Sequence, residues 1–271
     1  MIKNFNKRGE LTTQQIVGLI ILITSFAVIL FLLFRLNLGE ISEKEICHNS
    51  VVLKGQSPSN FEVGNLDCKT NYICISGGED CKDFNPTNII NININQKPEK
   101  IENDTMKVIA QEMKDCWWMF GEGKINYAKG FDFTNQKFCS VCSIIAFDET
   151  LSKQDISYSK FYNYLKDSKI EGSDTLLHYL YNTYKIEDLD KNYLSLKFDF
   201  KKQYFVLTAL SKEGFLMNMF DYTKIGLFYR GVKYFDKEGN VIELKSLPVL
   251  ILEKTKENYD NVGCTEYLTK A

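Results

Sequence analysis

Residues 138–147 read Phe138-Cys139-Ser140-Val141-Cys142-Ser143-Ile144-Ile145-Ala146-Phe147. A run rich in β-branched and aromatic side chains, without Gly or Pro, predicts a buried strand. Two cysteines inside it force a choice of chemistry. Redox pairs of this spacing normally open a helix, whose N-terminal dipole lowers the thiol pKa, whereas this pair leads into a strand. A four-thiolate zinc site needs a second Cys-x-x-Cys, and the chain has none. Disulfide bonding is the stronger reading, and an extracytoplasmic thiol oxidoreductase using Cys139 and Cys142 is kept as an alternative.

The other cysteines are Cys47, Cys68, Cys74, Cys81, Cys116 and Cys264, so the total is eight. An even set predicts a disulfide framework and an oxidising compartment, though sequence cannot choose the pairing. If Cys264 is bridged, it ties the end of the sequence to the body and favours one integrated domain.

Upstream, Pro98 to Gly121 reads as a helix with Ile101, Val108, Ile109, Met113, Cys116, Trp117 and Phe120 near one face. Ile90, Ile92 and Ile94 alternate with Asn91, Asn93 and Asn95, the period of a strand that should be paired to avoid an open edge. Cys47 to Pro86 reads as short strands and loops. Downstream, helices are predicted over Tyr158–Lys166 and Ser173–Lys185, and strands over Tyr193–Phe200, Tyr204–Leu210 and Leu247–Leu252. A hairpin over Val232–Leu244 turns at residues 236–240. The sum is an α+β domain.

Outward again, Ile16 to Phe34 is nineteen residues without a charge. As a helix they rise about 28 Å, close to the ~30 Å of a bilayer core. Lys3, Lys7 and Arg8 precede the run and Glu40, Glu43 and Glu45 follow it, which orients the N-terminus toward the cytoplasm. The expected layout is a cytoplasmic tail (1–15), a transmembrane helix or signal anchor (16–35) in contact with lipid, a stalk (36–46) and a disulfide-stapled extracytoplasmic domain (47–271). That domain divides into Cys-rich 47–150 and Tyr-rich 151–271 portions. A single-pass cell-membrane location follows.

Composition is that of a globular chain, 44% hydrophobic and 25% charged, with a formal net charge of -2. No basic stretch invites nucleic acid. Neither HExxH nor GxSxG occurs, no cofactor or metal motif is present, and the residues point away from an enzyme. The most unusual text is Asp115-Cys116-Trp117-Trp118-Met119-Phe120-Gly121-Glu122-Gly123-Lys124. Trp117, Trp118, Glu122 and Lys124 form a candidate interaction site, weighed against simple core packing by Trp117 and Phe120. Asn103-Asp104-Thr105 is a candidate glycosylation sequon at Asn103. His48 and His178 lack a catalytic constellation. The expected role is a non-catalytic surface or envelope component that contacts other envelope proteins or itself.

Two resemblances add to this. Lys7-Arg8-Gly9-Glu10-Leu11-Thr12-Thr13-Gln14 before the apolar run resembles a class III (type IV prepilin-like) signal, although Gln14 stands where many pilins carry Glu. It implies cleavage after Gly9 and a filament subunit as an alternative role. The DCWWMFGEGK and FCSVCSIIAFD segments, with LTTQQIVGLIILITSF, resemble uncharacterised single-pass membrane proteins of small-genome (DPANN-type) archaea. That resemblance implies anchoring and external exposure and brings no catalytic residue.

Overall fold

The computed structural model describes residues 13–35, 42–57, 65–128, 137–170, 172, 174–188, 194–212, 230–235 and 241–270. The chain separates into two units, Met1–Ser42 and Glu43–Ala271. Helix α1, Thr13–Arg35, occupies the first. The hydroxyls of Thr24 and Ser25 donate back to the Ile20 and Leu22 carbonyls of their own helix.

The expected transmembrane helix over 16–35 is corrected here. Among the described residues, no helix is long and apolar enough to cross a membrane. The signal anchor, the single-pass location and the lipid contact all rested on that span and are withdrawn with it. The prepilin-like signal before Leu11 and stalk residues 36–41 lie outside the described residues.

The second unit is a mixed α/β structure. Its strands are β1 (Asn71–Ser76), β2 (Asn88–Asn91), β3 (Lys137–Phe147), β4 (Tyr204–Lys212), β5 (Arg230–Phe235), β6 (Val241–Glu253) and β7 (Glu266–Tyr267). Its helices are α2 (Glu43–Gln56), α3 (Pro98–Met119), α4 (Tyr158–Asp167), α5 (Leu176–Tyr181) and α6 (Lys256–Val262). Sheet order is β2-β1-β3-β4-β6-β5, with β7 also on β3. The pairings of β1 with β2 and with β3 are parallel, whereas β3, β4, β6 and β5 run antiparallel in turn.

Every residue of β3 is buried, which explains a sequence that is apolar without alternation. On β1, Ile73 and Ile75 belong to the main core, whereas Cys74 joins Cys81 and Ala146 in a small second cluster. That is the period of two expected of a pleated strand. Pro248 lies within β6, where a proline cannot donate to the ladder. The β4–β6 register slips between Leu207 and Ala209, opposite Leu250 and Leu247. The proline thus sits in an irregularity, and the Thr208 hydroxyl donates to the Leu247 carbonyl there, at 2.6 Å.

The segment after α6 does an unusual job. Glu266 and Tyr267 pair in parallel with Phe138 and Cys139. Further on, the Lys270 amide donates to the Cys68 carbonyl (2.9 Å), and the Thr70 amide donates to the Lys270 carbonyl (2.8 Å). The segment therefore lies as a wedge between the lead-in to β1 and the first half of β3. It fills a place that β1, beginning at Asn71 opposite Ser143, does not reach.

Some expected elements differ. Residues 43–56 are a helix, not stalk, strands and loops, because Cys47, Val51 and Lys54 bury one face. Tyr193–Phe200 forms no regular strand among its described residues. Phe198 stacks on Tyr158 of α4 at 4.5 Å instead. The Ser173–Lys185 helix shrinks to α5, capped by the Thr175 hydroxyl and ended by Asn182 at φ 56°.

Candidate functional site

All eight cysteines are paired, as Cys47–Cys68, Cys74–Cys81, Cys116–Cys142 and Cys139–Cys264, and none is free. Residues three apart on a strand point to opposite faces. Cys142 accordingly reaches α3, while Cys139 reaches the segment after α6.

The tryptophan-rich stretch ends α3, and the helix separates its two indoles. Trp117 is 1% exposed and belongs to the core with Phe120. Trp118 is half-buried and stacks on His48 of α2, with centroids 4.0 Å apart and an interplanar angle of 12°. His48 Nδ1 lies 2.8 Å from the Trp118 carbonyl oxygen. A carbonyl only accepts, so Nδ1 is the donor in this bond.

One turn away, Lys44 Nζ bridges Glu112 (2.9 Å) and Asp115 (2.7 Å). Gln111 donates to the other oxygen of Asp115. Burial pushes the Glu112 carboxyl up, against the opposing pull of Lys44. Burial also works against the Lys44 ammonium, yet the two carboxylates together leave its pKa raised. One lysine thus pairs with two acids and clamps α2 on α3.

Beyond Phe120 the backbone turns left-handed for three residues, with φ of 72° at Gly121, 56° at Glu122 and 68° at Gly123. The turn is closed by the Lys124 amide on the Gly121 carbonyl. A non-glycine residue there costs about 1 kcal/mol, and Glu122 is held by its side chain. Its carboxylate accepts from the Tyr179 hydroxyl of α5 (2.9 Å) and pairs with Lys124 Nζ (2.5 Å). Glycine is required at 121, where a Cβ would meet the Ile125 side chain at 2.5 Å.

Of the four residues expected to form a contact site, Trp118, Glu122 and Lys124 reach the surface. Trp117 does not. His48, Lys44 and Tyr179 were not singled out from the sequence as members of this region, and only folding brings them there. Asn103 is exposed on α3, but Thr105 of its sequon is buried, with its hydroxyl on the Ile101 carbonyl.

Elsewhere, the Asp148 carboxylate is buried. Burial alone would raise its pKa, but hydrogen bonds from Thr150, Ser76 and the Gly77 and Glu79 amides hold it down. It fastens the turn after β1. His178 bonds Asp174 and stacks on Tyr184 at 4.0 Å. Among the described residues, no cluster of His, Cys, Asp or Glu could hold a metal ion. No known protein family, curated protein or solved structure matches the chain.

Proposed function

We propose that this chain is a non-catalytic interaction component of an oxidising, extracytoplasmic setting such as a cell surface or envelope. Its contact patch is the Trp118–His48 stack with the Glu122–Lys124 turn. The observation that carries the reading is the closure of every cysteine into a disulfide, with Cys139 and Cys142 bound to different partners. A dithiol that exchanges with substrate needs its two sulfurs to bond each other. These two serve architecture. The patch offers a half-buried indole, a basic side chain and a rigid turn, which are materials of protein contact surfaces.

Two measurements test this. Thiol titration and insulin reduction on the native chain are expected to give no free thiol and no turnover. Catalytic cycling that disappears on Cys142→Ser would sink the reading. Lysine-directed cross-linking in intact source cells should place Lys124 in links to other polypeptides, and links confined to the chain itself would count against the patch.

A second reading, a filament subunit, draws on one observation. Helix α1 carries apolar side chains on all sides, and Ile16, Leu22 and Phe26 are 44%, 66% and 60% exposed. Bundled copies of α1 would cover them. Mass spectrometry of the mature N-terminus decides: a chain starting at Glu10 supports processing, and one starting at Met1 or Ile2 rejects it.

A further inference from the structure

Among the described residues, strand β2 is one edge of the sheet. Its parallel register pairs Cys74 with Ile89 and Ser76 with Asn91, and the Ile92 amide donates to the Ser76 carbonyl. In that register the backbone groups of Asn88, Ile90 and Ile92 turn toward β1, and those of Ile89 and Asn91 turn outward. Exposed edges of this kind template further pairing unless a charge, a proline or a bulge blocks them. β2 itself, Asn88–Asn91, contains no charge or proline, and its pairing with β1 shows no bulge. From Phe84 to Gln96 the sequence holds no charged residue, and Ile89 is 46% exposed. At the other end of the described strand order, the sequence of β5 includes Arg230 and Lys233.

From these observations we infer that β2 is a self-association edge, whose occupant is the β2 strand of a second copy, antiparallel about a twofold axis. The strand is its own complement. With the axis at Ile90, Ile89 of each copy faces Asn91 of the other, and each such pair exchanges two backbone hydrogen bonds. Ile90 then meets its own counterpart. A charged peptide would find no partner for its charge on this edge, whereas a neutral copy of the same Asn-Ile text leaves none unpaired. A twofold operator closes after two copies and uses up both edges, so association stops at the dimer.

This deepens the interaction reading by naming one partner, and it can fail alone. Hydrogen exchange of the full chain, followed on the peptide covering residues 86–96 at two protein concentrations, tests it. Protection of that peptide should rise with concentration in the native chain and in the exposed control Leu53→Lys. In Ile89→Lys the apparent dissociation constant by sedimentation should weaken at least tenfold and the concentration-dependent protection should vanish. Uptake independent of concentration, or a rise in protection that survives Ile89→Lys, overturns the edge. Cross-links from Lys124 to other polypeptides would still uphold the broader reading.

Discussion

The two halves of the sheet are held together by different means. Around the parallel half, β2-β1-β3, all four disulfides gather, because each has at least one cysteine at or before Cys142. The antiparallel half, β4-β6-β5, has no cysteine in its strands. Rings and aliphatic side chains close it instead: Phe147 against Phe200 at 4.7 Å, Tyr158 against Phe198, and the Tyr181 hydroxyl on the Val249 carbonyl. The difference follows from connectivity. Parallel neighbours need long crossovers whose closure costs entropy, while antiparallel neighbours can follow each other closely in the chain, as β5 and β6 do with five residues between them. The longest covalent closure, Cys139–Cys264, falls on β3 of the parallel half.

That contrast can be broken most forcefully at Cys139–Cys264, which spans 125 residues. The chain-entropy relation assigns such a loop about 5 kcal/mol, against about 2 kcal/mol for a seven-residue loop. Paired Cys139→Ser and Cys264→Ser should therefore lower stability in urea roughly twice as much as paired Cys74→Ser and Cys81→Ser. Equal losses would mean that closure entropy does not set what each disulfide contributes. Next in size, Phe198→Ala should cost about 3–5 kcal/mol as a buried aromatic truncation. The non-reducing disulfide map should stay intact, since the damage falls on the unstapled half.

A smaller effect sharpens the picture where the halves meet. Lys137 opens β3, is buried, and donates from Nζ to the Val262 carbonyl at the end of α6 (2.5 Å). Burial pushes its pKa down to about 8. The unfolded lysine, near 10.4, then holds its proton where the folded one has released it, so stability contributed by this site rises with pH from about 8 to about 10.4 and is lost as pH falls through 8. Thermal unfolding across that window should show the rise in the native chain and a flatter profile in Lys137→Met. An unchanged profile would place the titration elsewhere.

Local text revealed those elements whose own residues decide them. The buried strand at 138–147, the helix begun by Pro98 and the strands flanking 236–240 were readable from period and punctuation. Helix α2 was not, because His48-Asn49-Ser50-Val51-Val52 has weak helical preference and is folded by packing on α3. The Leu194–Phe200 stretch alternates as a strand would, yet its phenylalanines fill gaps over α4 and β3. A long apolar run at 16–34 was legible as a helix, and the inference to a membrane span went further than the described helix supports. The candidate site divides in the same manner. Spacing alone could weigh Trp117 as core, but His48 lies seventy positions from Trp118, and no local pattern announces that stack.

The wedge between β1 and β3 also sets a timetable. A ribosome adds about 5–20 residues per second, so Cys139 waits roughly 6–25 seconds before the partner 125 positions later is even synthesised. Throughout that interval Cys142 is the thiol nearest to it in the chain, and Cys116 is close behind. The first bonds available to an emerging chain are thus the wrong ones for Cys139. Early closure of Cys116 with Cys142 would remove that competitor before Cys264 arrives.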